Sequence, residues 1–303
     1  MGNTNIKNEI HYNNFTFRQI KTINVHLDKV YSLLMLNDKR IASCSEDRRI
    51  LIFDPSNDYH CDKEITRYSE SNKSFCQLKD NTLVYPVEDR SISLGSYTIN
   101  RAHNIKIIKV ISLPNNRIAS CSADGTIKIW KSNPPYSNIP IKVLEGHKDW
   151  VTSMIYVREK NLLISGSCDE SIIFWNMTTY QCLCRFRNIS WVRSPNALYQ
   201  IDNERIIVGA IVGFVIINFD KFVIENWVTS KKEEGFDCFI KLRDNKTILC
   251  GCDKGKLCLY DMCTKAVTIT NKSHASKIND ILTIDKETFM TCSDDKYIKV
   301  WKY

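Results

Sequence analysis

Residues 121–130 read CSADGTIKIW, and three other stretches are imperfect copies of it: CSEDRRILIF at 44–53, GSCDESIIFW at 166–175 and CSDDKYIKVW at 292–301. In the first of these, Asp124-Gly125 is a two-residue turn signal, because tight hairpin turns need positive φ, which Gly and Asp tolerate best. Before it, RIAS (117–120) is an apolar-to-small run. After it, TIKIW alternates, with Ile127 and Ile129 on one face and Lys128 and Trp130 on the other. Each copy therefore reads as two antiparallel strands joined by a tight turn. Each ends on a large aromatic: Phe53, Trp130, Trp175 or Trp301.

Weaker copies fill the gaps. VEDRSISLG ends at Gly95, AIVGFVIIN at Asn218 and CDKGKLCLY at Tyr260. The closing column then falls at 53, 95, 130, 175, 218, 260 and 301, with successive spacings of 42, 35, 45, 43, 42 and 41. A period of roughly 40–45 residues carrying four short strands is that of a β-propeller blade. The expected fold is all-β, a seven-bladed propeller of four-stranded antiparallel blades. Length alone would suggest two domains of about 150 residues, but seven units use nearly the whole chain. We therefore expect one domain over 15–303 behind an Asn-rich, flexible lead-in over 1–14.

The bulk numbers exclude several classes. Of 303 residues, 43% are hydrophobic and 25% charged, as in an ordinary globular domain. The longest apolar run, IIVGAIVGFVIINF at 206–219, falls short of the roughly 20 residues a bilayer span needs. It is read as two strands of the fifth unit turned at Val212-Gly213. Thirteen cysteines occur without any C-x-x-C; Cys182/Cys184 and Cys250/Cys252 are C-x-C pairs, and two ligands do not make a zinc site. Most cysteines are read as small buried apolar side chains. No cofactor or metal site is expected. Free thiols and no secretion signal point to a reducing compartment, the cytoplasm or nucleus. Gly2 raises the question of myristoylation, but Ile6 stands where that pattern wants Ser or Thr. The net charge is +8 with basic residues spread along the chain, and Lys231-Lys232 is followed at once by Glu233-Glu234, so direct nucleic-acid binding is not expected.

The Asp-x₅-Trp hairpins, with a His upstream in the same units, resemble the WD-repeat (WD40) propeller family. The resemblance implies a hydrogen-bonded tetrad of His, Ser/Thr, Asp and Trp in each regular unit. By position these are His103, Ser120, Asp124 and Trp130 in the third; His147, Ser165, Asp169 and Trp175 in the fourth; and His274, Thr291, Asp295 and Trp301 in the seventh. The first unit offers His26, Ser43 and Asp47, with Phe53 for Trp. The chemistry is self-consistent: a part-buried carboxylate needs donors, and a His can donate to it while accepting from a hydroxyl. A Ser-His-Asp trio repeated four times is structural; an active site would occur once. The second, fifth and sixth units depart from the pattern, with Gly95, Asn218 and Tyr260 in the Trp column and Val212 and Lys254 in the Asp column of the last two. The family also closes its ring with an N-terminal strand, and FTFRQIKTI (15–23) alternates like one, while the seventh unit lacks a fourth strand of its own.

For function, the resemblance implies a non-catalytic scaffold or adaptor whose partners bind the face where the chain enters each blade. There is no Gly-rich phosphate loop, metal pair or nucleophile elbow, and no catalytic residue is assigned. The candidate partner-binding residues are Lys29, Tyr31, Arg48, Lys106, Trp150, Arg193, Lys254 and Lys277, a basic and aromatic rim suited to a protein or peptide partner, in particular an acidic or phosphorylated one. The alternative is an architectural subunit, monomeric within a cytoskeletal, ubiquitin-ligase or RNA-processing complex and held by other surfaces. Few residues precede the first strand, which leaves no room there for an F-box, and WKSN (130–133), WNMT (175–178) and FDPS (53–56) lack the Arg of cullin-4-adaptor receptors.

Overall fold

A computed structural model describes residues 9–12, 15–66, 74–189, 197–229 and 234–303. Seven antiparallel sheets follow one another along the chain. Blade 1 is Val30–Met35, Ile41–Ser45, Arg49–Asp54 and His60–Thr66. Blade 3 is Ile107–Leu113, Arg117–Ser122, Thr126–Lys131 and Lys142–Glu145. Blade 4 is Val151–Val157, Leu162–Ser167, Ile172–Asn176 and Cys182–Phe186. Blade 6 is Phe236–Lys241, Thr247–Cys252, Lys256–Asp261 and Val267–Lys272. Blades 2 and 5 have the same order with shorter strands: Cys76–Gln77, Leu83–Val87, Ser91–Leu94 and Tyr97–Ile99 in blade 2, and Leu198–Gln200, Arg205–Gly209, Phe214–Asn218 and Val223–Val228 in blade 5.

Blade 7 contributes Ile278–Thr283, Thr288–Ser293 and Ile298–Lys302, and Phe15–Ile23 pairs antiparallel to the last of these, with Ile23 opposite Ile298. This is the ring closure the alternation of FTFRQIKTI predicts. A fifth strand was not foreseen: Glu9–Tyr12 turns back on Phe15–Arg18. Of the lead-in over 1–14, this segment is therefore a strand, whereas residues 1–8 and 13–14, and with them Gly2, lie outside the described residues.

The core is divided among the seams. One apolar cluster lies between each pair of neighbouring blades: Leu36, Ile50 and Phe75 between 1 and 2, Val84, Ile118 and Trp130 between 2 and 3, Ile127, Met154 and Trp175 between 3 and 4. The pattern continues with Phe174 and Ile217 between 4 and 5, Phe214 and Tyr260 between 5 and 6, Leu257, Phe289 and Trp301 between 6 and 7, and Phe53 and Val300 between 7 and 1. The closing aromatics Phe53, Trp130, Trp175, Tyr260 and Trp301 thus each pack against the preceding blade. Because side chains alternate along a strand, both faces of every blade are buried. The second strands of blades 1, 4 and 6 are accordingly buried without interruption.

Two column positions are corrected by register. In blade 5 the residue facing blade 4 is Ile217, opposite Ile206; Asn218 ends the strand and accepts the Asp220 and Lys221 amides. The fifth hairpin turns over 210–213, with Gly213 at φ 92. In blade 2, Gly95 lies just beyond the third strand at φ 64 and opens the short turn to Tyr97, so no aromatic stands there. The turn glycine of the opening motif, Gly125, has φ 79, but Arg48, Glu170 and Lys296 hold the same position in blades 1, 4 and 7 at φ 68, 60 and 76. Glycine eases this turn without being required for it.

Candidate functional site

The four His-containing units build the same polar network. In blade 3, His103 Nδ1 lies 3.0 Å from Asp124 Oδ2 and Nε2 lies 2.7 Å from Ser120 Oγ, while Trp130 Nε1 donates to that hydroxyl at 2.8 Å. Since the hydroxyl accepts from the indole, its proton goes to Nε2, and Nδ1–H donates to the carboxylate. Blade 4 repeats this with His147, Asp169, Ser165 and Trp175, and blade 7 with His274, Asp295, Thr291 and Trp301. Blade 1 has His26, Asp47 and Ser43 at 2.8 and 2.7 Å without an indole.

Each aspartate also accepts the backbone N–H of the residue after the His: Leu27, Asn104, Lys148 or Ala275. A further partner, missed in the sequence, stands two residues past the aspartate. It is Arg49 in blade 1, Thr126 in blade 3 and Ser171 in blade 4. The signal was present as a donor side chain at that spacing. Burial alone would raise these carboxyls, yet the His, hydroxyl, guanidinium and amide donors hold Asp47, Asp124 and Asp169 well below the ordinary carboxylate range and Asp295 at about 2. Burial lowers His103 and His274 against the pull of their aspartates, so both are neutral in the fold. The network anchors turns; it presents no nucleophile to solvent.

The rim is defined by one recurrent backbone contact. The carbonyl of the residue before the first strand accepts the first amide of the hairpin turn, at Lys29, Lys106, Trp150 and Lys277, and at Gly235 in blade 6. These positions share one end of the ring with the turns bearing Arg48 and Lys254. Trp150 is 53% exposed. Lys29, Arg48 and Lys254 are exposed and Lys106 is half-buried. Tyr31 is half-buried, donates to Glu46, and its hydroxyl is pushed up by burial and by that carboxylate. Lys277 departs from the expected free cation: its Nζ sits 2.9 Å from the buried Asp237, joining blade 7 to blade 6. Arg193 lies outside the described residues. With Glu46, Asp149 and Asp237 among the cations, the rim carries both signs.

Sequence reasoning also missed the polar clasp at the closure. Asp280, half-buried on the first strand of blade 7, accepts Ser32 Oγ at 3.0 Å and the Leu33 amide at 2.9 Å, and Asn279 donates to the Val30 carbonyl at 2.8 Å. Burial raises the Asp280 carboxyl to about 6. No helix among the described residues is long and apolar enough to cross a membrane.

Seven four-stranded blades around a ring, four of them locked by a His–Ser/Thr–Asp network, define a β-propeller of the tetrad-bearing kind. The family model of the WD domain, G-beta repeat, matches residues 17–54, 96–131, 138–176 and 266–302, the four units that carry the network. The chain belongs to the WD-repeat family. Each match after the first begins with the outer strand of one blade and ends with the third strand of the next, so the sequence repeat is offset from the structural blade.

Among similar proteins, a WD repeat-containing protein 89 homolog of Dictyostelium discoideum is 26% identical over 162 residues, 50% of this chain and 41% of the relative. A nuclear distribution protein nudF of Aspergillus flavus is 39% identical over 69 residues, 23% of this chain and 15% of the relative. The human DDB1- and CUL4-associated factor 10 is 28% identical over 105 residues, 35% of this chain and 18% of the relative. The chain matches less than half the length of each.

Proposed function

We propose that this chain is a non-catalytic WD-repeat scaffold that binds a protein or peptide at the rim where the chain enters its blades. The observation that carries this reading is Trp150. A large aromatic half open to water at the mouth of a ring is the type of residue that dominates interface energetics. Lys29 and Arg48, exposed at the same end, favour an acidic or phosphorylated segment. The free thiols accord with the cytoplasm or nucleus. The test is a pull-down from source cells comparing wild type with a Trp150→Ala, Lys29→Glu, Arg48→Glu variant shown to fold. Loss of a partner supports the rim. An unchanged set of partners overturns it. Lys277→Glu is unsuited to this test, because it would place a second carboxylate against buried Asp237.

A specific surface favours the second reading, an architectural subunit held by its side. The outer strand of blade 5 exposes Val223, Ile224 and Trp227. A Trp227→Asp, Ile224→Asp variant that loses a complex retained by the rim variant would support it.

A further inference from the structure

We propose that Glu234, Cys252 and Cys258 form a buried site for one divalent metal ion of the zinc class at the seam of blades 5 and 6. In blade 6 the network of the other units is replaced. Cys250 stands opposite Cys258 as Ser120 stands opposite Lys128 and Thr291 opposite Lys299. Cys252, two residues on, takes the place of Ser122 and Ser293, and Cys258 that of the two lysines. Glu234 lies just before the first strand of blade 6, its own carbonyl held by the Gly213 amide.

The two sulfurs and a Glu234 oxygen lie within 4.8 Å of one another, and all three residues are buried. Tetrahedral ligands about 2.3 Å (sulfur) and 2.0–2.2 Å (oxygen) from zinc sit roughly 3.5–3.8 Å apart, so small side-chain adjustments bring all three onto one ion. Among the described residues, Glu234 Oε2 is the one buried side-chain nitrogen or oxygen with no hydrogen-bond partner, on a side chain only 1% exposed. Its other oxygen accepts Lys256 Nζ at 2.8 Å. An unpartnered buried carboxylate oxygen is costly, and metal coordination would satisfy it.

The charges point the same way. Two thiolates, one carboxylate and the Lys256 ammonium sum to −2, which a divalent cation cancels. Two sulfurs with one carboxylate suit zinc and exclude the oxygen-seeking magnesium and calcium. The fourth position would fall to water or an outside ligand. Two donors flank one hairpin turn and the third arrives from the preceding loop, so the C-x-C pairs visible in the sequence could not disclose the site.

The test uses the full chain, reduced with a phosphine, in a Cys182→Ser, Cys184→Ser, Cys263→Ser background that removes the solvent-exposed thiols and the Cys182/Cys184 pair while keeping Cys250 and Cys252. Metal content is measured after zinc loading and mild chelation, and cobalt is titrated as a spectroscopic probe. Expected are one zinc per chain, a thiolate-to-cobalt charge-transfer band, and affinity lower by about tenfold or more in Cys252→Ser, Cys258→Ser and Glu234→Gln. Should the serine variants fail to fold, Glu234→Gln, which preserves volume, decides: weakened binding supports the site and unchanged binding overturns it. Metal-free protein after loading, a cobalt band lost with the exposed cysteines, or a Cys252–Cys258 disulfide as the sole chemistry would each overturn it.

Discussion

Blades 3 and 6 share a strand order and nearly the same hairpin register, yet they are fastened differently. In blade 3, Trp130, Ser120, His103 and Asp124 make a relay from the buried seam to the hairpin turn. In blade 6, Cys250, Tyr260 and Phe214 make an apolar seam, with the Tyr260 hydroxyl accepting from Asn226 at 2.8 Å. The ring therefore mixes four blades whose turns are tied down by a carboxylate with three whose packing does most of the work. Polar relays add specificity of register, since every member must be satisfied at once. Apolar seams add burial and leave room for substitution. Blades 2, 5 and 6 lie largely outside the residues matched by the family model and are still four-stranded.

The comparison can be broken most forcefully at Trp301. It is buried, stacked on Phe289 with ring centroids 6.1 Å apart, and donates to Thr291. Trp301→Ala should cost about 3–5 kcal/mol in urea unfolding, and a cost below that of Ile217→Ala would deny the tetrad blades any special standing. His274→Ala should cost about 1–3 kcal/mol, because it strands a buried hydroxyl and a part-buried carboxylate. His147→Ala should likewise lower the melting midpoint while leaving the affinity of a rim-bound partner nearly unchanged below it.

A pH titration sharpens the contrast further. The tetrad aspartates ionise below the ordinary value of 3.8, so between that value and their folded values the unfolded chain binds more protons. Their stabilisation is complete above 3.8 and is lost as pH falls through the folded range. His103 and His274, held below 6.5, act with the same sign and start earlier. Asp280, at about 6, opposes them between 6 and 3.8. Hydrogen exchange followed from pH 7 to 3 should show blades 3 and 4 loosening before blades 5 and 6; the reverse order would sink the argument. The smallest effect is expected for Tyr260→Phe, about 0.5–1.5 kcal/mol, because only one half-exposed hydrogen bond is lost.

The blade count, the closing strand and the tetrads were legible because turn chemistry and a period of about 42 residues are local signals. Trp130 and Asp124 are six residues apart, and the His lies some twenty residues upstream. Where blade 5 turns differently, the column slid by one, from Ile217 to Asn218, since nothing local reports register once the aspartate is gone. The Lys277–Asp237 pair, the Asp280 clasp and the Glu234–Cys252–Cys258 cluster were hidden for another reason. The first two join neighbouring blades and the third joins a hairpin to the loop before its blade, so each proximity exists only in the folded ring.

The closing strand has a kinetic consequence. Phe15–Ile23 is synthesised long before Ile298–Lys302, yet its sheet partners are on that strand and on Glu9–Tyr12. Until the last blade emerges, this segment offers an unpaired edge of alternating apolar side chains, a template for wrong pairing. Closure must also await a contact of very high sequence separation, the kind that slows folding most. Folding of this ring should therefore end where the chain began: Glu9–Tyr12 pairs with the other edge of this segment and leaves the edge awaiting Ile298–Lys302 uncovered until then.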